Sequence, residues 1–115
     1  MTDEMIALSS RAVVCPKWRW MPGMLAYFAH DGRYTRVSMP DAWGSSTAVP
    51  DLRDPATVGC LLALVRDAYA DARITVVPRG ARVWAVVYPG WLHMKAIAMG
   101  KTEAEALVVA LESAP

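Results

Sequence analysis

The chain has 115 residues, with 12 Lys+Arg against 11 Asp+Glu for a formal net charge of +1, and 55% of its residues are hydrophobic. That length fits one domain, and the balance of apolar to charged residues can build a packed core, which excludes an intrinsically disordered chain. Every apolar run is broken by Arg, Asp, Pro or Gly well before the roughly 18 residues that a membrane-spanning helix needs. Met1-Thr2-Asp3-Glu4 puts acids where a secretion signal carries positive charge, so a cytoplasmic protein is expected.

Residues 3–14 follow Thr2, a good N-cap, and carry Asp3 and Glu4 in the first turn where the helix dipole favours them, so a short helix is predicted. Cys15-Pro16 ends it, because the residue before a proline is pushed out of helical angles. Lys17-Trp18-Arg19-Trp20 then alternates basic and aromatic side chains before the breaker Pro22-Gly23. Residues 24–29 and 34–38 are β-prone and flank His30-Asp31-Gly32-Arg33, whose Asp-Gly pair signals a hairpin. Residues 39–50 form a turn-rich loop, longer than a normal connection.

Asp54-Pro55 supplies an N-cap and a first-turn proline for a helix over 55–70. Val58, Leu61, Leu62, Val65 and Tyr69 recur at helical spacing, with Cys60, Ala63 and Leu64 widening the stripe, so this helix is expected to be the most buried element. A second hairpin joins strands at 73–77 and 82–88 through Pro78-Arg79-Gly80, and a fifth strand at 92–98 follows Pro89-Gly90. Within 82–88 the residues Val83, Ala85 and Val87 share one face, and Trp84, Val86 and Tyr88 the other; both are apolar, as in a central strand. Thr102 followed by Glu105 is a capping box for a last helix with Ala104, Leu107, Val108 and Leu111 on its apolar face. The predicted fold is therefore α+β, in the order α-β-β-α-β-β-β-α, with one antiparallel sheet of about five strands packed against helices.

Signals for catalysis are weak. Neither CxxC nor HxxxH spacing occurs, so no metal is expected, and the absence of GxGxxG and GxxxxGK[ST] motifs leaves no cofactor or nucleotide to propose. No GxSxG elbow accompanies His30 or His93, and Cys60 lies on an apolar helix where a thiol is inert. Cys15 and Cys60 fall in different elements and read as two buried free thiols. Asp51 and Asp54 are paired carboxylates that capping and loop solvation explain. A non-enzymatic protein is the expectation.

The charges are more informative by segment than in total. Arg73, Arg79, Arg82, Lys95 and Lys101 span 73–101 without an acid, whereas 102–115 holds three acids and no base. Lys17, Arg19, Arg33 and Arg36 add to the strand regions against Asp31 alone. Two readings are open: acids placed at helix starts and cations on strand edges for local reasons, or a basic, aromatic sheet surface that docks an acidic partner, protein or nucleic acid, since Trp with Arg dominates binding hot spots. All five tryptophans, Trp18, Trp20, Trp43, Trp84 and Trp91, are candidate anchors. The candidate partner-binding residues are Trp18, Arg19, Trp20, Arg79, Arg82, Trp84, Tyr88 and Lys95. Helices too few to cover both sheet faces would leave Trp84 and Tyr88 partly open. A nucleic-acid-binding accessory protein using Lys17, Trp18, Arg19, Trp20, Arg79, Arg82 and Lys95 is the alternative, although the pI of about 7.8 is below the value of about 9 expected for such domains.

Two segments carry a family resemblance. Residues 51–69, with Asp54-Pro55-Ala56-Thr57-Val58-Gly59-Cys60-Leu61-Leu62-Ala63-Leu64-Val65-Arg66-Asp67-Ala68, and the ending 100–115, with Thr102-Glu103-Ala104-Glu105-Ala106-Leu107-Val108-Val109-Ala110-Leu111, together make about a third of the chain. They resemble small, mostly uncharacterised proteins of phages and prophages, in which a DPATLGCLLALVREA-like helix, a tryptophan-containing strand region and a TEAEALVAALEAA-like tail recur. The resemblance implies an accessory protein that binds and inhibits a host protein, with a CRISPR-type defence effector complex as one target. It assigns no residue a role.

Overall fold

The computed structural model describes residues 1–43, 46–89 and 95–115. It divides into two compact units, Met1–Cys60 and Leu61–Pro115.

In the first unit, helix α1 (Asp3–Val13) starts where Thr2 accepts a hydrogen bond from the Met5 N–H at 3.2 Å. Strands β1 (Leu25–Phe28), β2 (Arg33–Arg36) and β3 (Val49–Pro50) make an antiparallel sheet in the order β2-β1-β3. The β1–β2 hairpin pairs Phe28 with Arg33 and Leu25 with Arg36. Its turn closes through Gly32, whose φ of +71° is a left-handed angle that glycine adopts without strain. Ala26 pairs with Pro50 on the other side of β1, and the Asp51 N–H extends this ladder to the Leu25 carbonyl at 2.8 Å. The buried Ser9 hydroxyl donates to the Pro50 carbonyl at 2.7 Å, fastening α1 to β3. Met24, Ala26, Val37, Ala48 and Leu52 are buried with Ala12 of α1.

Helix α2 (Pro55–Ala68) contains the boundary between the units. Asp54 caps it by accepting from the Thr57 N–H at 3.0 Å. At its other end the Asp71 N–H bonds the Arg66 carbonyl and the Ala70 N–H bonds the Asp67 carbonyl, a Schellman closure. Ala70 sits at the left-handed position of that motif with φ of 52°.

The second unit holds β4 (Thr75–Pro78), β5 (Trp84–Tyr88) and β6 (Lys95–Gly100) in the antiparallel order β4-β5-β6, covered by α3 (Glu103–Glu112), which packs against all three strands. Val86 pairs with Ala98 and Val87 with Ala96, so Ile97 is an extra residue on β6 and bulges there. Thr102 caps α3 through the Glu105 N–H at 3.1 Å, and Ala104, Ala106, Leu107, Val108, Ala110 and Leu111 are buried. Gly100 approaches α3 so closely that a Cβ there would lie 2.5 Å from the Ala106 nitrogen. The Arg66 guanidinium donates to the Ile74 carbonyl at 2.7 Å and the Tyr69 hydroxyl to the Ala110 carbonyl at 2.8 Å, tying the end of α2 into this unit.

The fold is α+β with antiparallel pairing, as expected, and β5 is central in its sheet. The expected single five-stranded sheet is incorrect: the described strands form two three-stranded sheets. A further strand, β3, arises inside the stretch read as a loop, along with a 3₁₀ turn at Pro40–Trp43. Helix α3, with six of its ten residues buried, replaces α2 as the most buried helix. The start of the expected strand at 92–98, with Trp91 and His93, lies outside the described residues.

Candidate functional site

Cys15-Pro16 releases the chain from α1 through a turn closed by the Trp18 N–H on the Cys15 carbonyl, and a second turn at Pro22-Gly23, where the Gly23 N–H bonds the Val37 carbonyl, leads into β1. This brings Trp18 and Trp20 beside the 3₁₀ turn that carries Trp43. The Trp18 and Trp20 rings meet edge to face with centroids 5.4 Å apart, and Trp20 and Trp43 lie 5.5 Å apart. Phe28 of β1 continues the series at 5.6 Å from Trp43, with the Arg33 guanidinium 5.7 Å from its ring centre and His30 at its edge. Each spacing lies in the range where aromatic pairs attract beyond simple burial.

Trp18, Trp20 and Trp43 line a cleft of about 720 Å³, walled also by Val13, Met21, Pro22, Pro40 and Ala48, with Arg19, Asp41 and Ser46 as its charged and polar groups. Trp18, Trp20 and Trp43 are half-buried. The Trp18 Nε1–H is buried and has no hydrogen-bond acceptor among the described residues. Two of the most exposed apolar residues adjoin the lining in sequence: Val14, 78% exposed, follows Val13, and Met39, 71% exposed, precedes Pro40.

The predicted binding residues fall into two groups. Trp18, Arg19 and Trp20 come together in the cleft. Arg79, Arg82, Trp84, Tyr88 and Lys95 all belong to the second unit. There Trp84 and Tyr88 are half-buried on one face of β5, Tyr88 meeting Tyr69 edge to face at 6.2 Å. Arg79 and Arg82 are exposed in the β4–β5 turn, and Lys95 is exposed opposite Tyr88. Trp43, with Phe28 against it, extends the site beyond the predicted binding set, and only the return of 40–43 against 18–20 brings Trp43 there.

Three of the nine cations in the expected basic surface, Arg33, Arg36 and Arg73, are paired with aspartates, two of them through a local signal that segment sums overlook. Three Asp-x-Arg triplets recur, at Asp31-Gly32-Arg33, Asp51-Leu52-Arg53 and Asp71-Ala72-Arg73. In each, the aspartate accepts from the backbone N–H of the arginine two residues on and from its guanidinium. The Arg73 hydrogen bonds hold the Asp71 carboxyl below its ordinary range. Burial alone would raise Asp51, yet the Arg53 bonds outweigh it and its carboxyl is also lowered. Arg36 is likewise paired, 2.6 Å from Asp54.

Cys15 and Cys60 are free, the first buried and the second half-buried. Burial, with the Asp54 charge adding to it, raises the Cys60 thiol, the reverse of nucleophile activation. Among the described residues no three His, Cys, Asp or Glu side chains converge as a metal site, and no helix is long and apolar enough to cross a membrane. Comparison with known proteins finds no family model, no curated protein and no solved structure that matches the chain.

Proposed function

We propose that the protein acts by stoichiometric, non-catalytic binding to a protein partner, with the tryptophan cleft of the first unit as its docking surface. The observation that supports this most is the contact series Trp18–Trp20–Trp43 lining a cleft beside strongly exposed Val14 and Met39. Half-buried tryptophans lose little conformational entropy on docking and present large apolar area, the properties of binding hot spots. The phage-like segments at 51–69 and 100–115 make a host protein the partner class, and inhibition of a host defence complex the form such binding takes. Arg19 lines the cleft, and Arg33, Arg36, Arg53 and Arg73 are paired with aspartates, which makes those four less suited to tracking phosphates.

Affinity capture from a bacterial host lysate tests the reading. Wild-type protein is expected to retain a discrete partner that Trp20→Ala and Trp43→Ala lose while keeping wild-type circular dichroism. Equal retention by the folded variants refutes the cleft as the docking surface. Retention on single-stranded DNA that weakens steeply with salt would favour the nucleic-acid alternative.

A further inference from the structure

We propose that two copies of the chain pair through the outer edge of β2, antiparallel about a twofold axis at Thr35, so that two three-stranded sheets become one of six strands. The Val37 N–H bonds the Met24 carbonyl and the Val37 carbonyl accepts from the Gly23 N–H, both at 2.8 Å, so the polar backbone groups of Val37 face the β1 side. Those groups alternate in direction along an antiparallel strand, which turns the N–H and C=O of Tyr34 and Arg36 away from β1. Among the described residues no strand pairs with that edge, and all four residues of β2 are exposed. Open edges are normally guarded by a proline, a bulge or charged side chains. In the other described edge strands β3 is two residues long and includes Pro50, β4 ends in Pro78, and β6 carries Lys95 and the Ile97 bulge. β2 has no proline and no bulge, and its two arginines are neutralised by Asp31 and Asp54.

The residues of β2 select both the occupant and its register. Two antiparallel copies exchange hydrogen bonds only where outward-facing residues meet, so a twofold axis allows Arg36 on Arg36, Tyr34 on Tyr34, or Tyr34 on Arg36. The first sets like charges directly opposite one another, which is destabilising. The second carries the pairing into Gly32, whose φ of +71° is not extended. The third pairs residues 33–37 throughout: Tyr34 of each copy faces Arg36 of the other, Arg33 faces Val37, and the two Thr35 side chains meet on the axis. Thr–Thr is a favourable cross-strand pair, and the Arg36 guanidinium comes beside a tyrosine that is 43% exposed in the single chain. A second copy thus complements the edge residue by residue. A contact of this length falls short of the roughly 1,000 Å² of a stable interface, so the dimer is weak and reversible, forming at about 0.1–1 mM. No residue of β2 lines the tryptophan cleft, so the pairing does not rest on the docking reading above.

The test is sedimentation equilibrium of the full chain at concentrations up to about 2 mM, with the backbone amide resonances of the isotope-labelled chain followed over the same range. The average mass is expected to rise towards that of a dimer, and the Tyr34 and Arg36 amide signals to shift with concentration more than that of Thr35, whose N–H faces β1. Thr35→Lys and Thr35→Glu, at an exposed position where folding is not at risk, should each weaken self-association about fivefold or more by setting like charges on the axis. An equimolar mixture of the two variants sets opposite charges there and should recover the dimer. A chain that stays monomeric at about 2 mM overturns the proposal, as does a dimer that neither substitution weakens. So does a mixture that stays monomeric while both variants keep wild-type circular dichroism. Concentration-dependent shifts that gather at the Trp18 and Trp20 indoles would place self-association at the cleft and overturn it as well. Tyr34 and Arg36 signals that move only when a short Thr-Val repeat peptide is added would show an edge open to foreign strands and not to its own copy, and would overturn it too.

Discussion

Replacing Asp54 with alanine probes how α2 is joined to the first sheet. Asp54 Oδ2 accepts from the Thr57 N–H at 3.0 Å, from the Thr57 hydroxyl at 2.9 Å and from Arg36 at 2.6 Å. The same Thr57 hydroxyl oxygen accepts the Leu25 N–H of β1 at 2.8 Å, and Thr57 is fully buried. Loss of the cap costs about 1 kcal/mol, and the ion pair to exposed Arg36 adds little. The buried hydroxyl left without its acceptor adds about 1 kcal/mol or more. Asp54→Ala should therefore destabilise by about 2–3 kcal/mol in urea unfolding followed by tryptophan fluorescence. Asp54→Asn, which keeps a side-chain oxygen as cap, should cost less than half of that. Thr57→Val removes the relay from the other side, so the double variant should fall short of the summed single effects by about 0.5 kcal/mol or more. Strict additivity would refute a connected relay. Acid provides a second reading. The hydrogen bond from Arg36, helped by those from Thr57, lowers the Asp54 carboxyl below its ordinary value of 3.8. A carboxylate lowered in the folded state contributes stability that is complete above the unfolded-state value and is lost as pH falls through the folded-state value. The advantage of wild type over Asp54→Asn should accordingly be full at neutral pH and shrink below about pH 4; a gap that widens in acid contradicts the assignment.

Ala70→Gly should stabilise by about 0.5–1 kcal/mol in the same unfolding assay, because a left-handed alanine carries a steric cost that exceeds the extra unfolded-state freedom of glycine; a loss of stability would contradict the observed φ of 52°. Gly100→Ala should destabilise by about 1–3 kcal/mol, since its methyl group meets the backbone of α3 and no side chain can swing aside. An unchanged thermal midpoint there would show that β6 and α3 are farther apart than described.

Much of the fold is written in local patterns. Thr2, Asp54 and Thr102 mark the starts of all three helices, and each makes its capping hydrogen bond. Asp31-Gly32 marks a real hairpin, and the two apolar faces of 84–88 place that strand at the centre of its sheet. Sheet membership was not legible, because alternation along a strand says which face is buried and nothing about which strand lies alongside. β3 escaped for a related reason: two residues ending in a proline give no period, and only pairing with Ala26 and Tyr27 makes them a strand. At the site, Lys17-Trp18-Arg19-Trp20 announced itself by composition, but the roles of Trp43 and Phe28 depend on long-range return of the chain. The Asp-x-Arg triplets were legible and carry their own local geometry; summing charge over whole segments hid them.

The unit boundary inside α2 bears on how such a protein can be cut or recombined. A break at Cys60–Leu61 leaves helical stubs of 55–60 and 61–68, both shorter than the roughly 12 residues at which isolated helices begin to persist in water. Neither half retains a completed helix at its severed end, so the chain is best cut or fused on either side of 55–68 and not at the unit boundary itself.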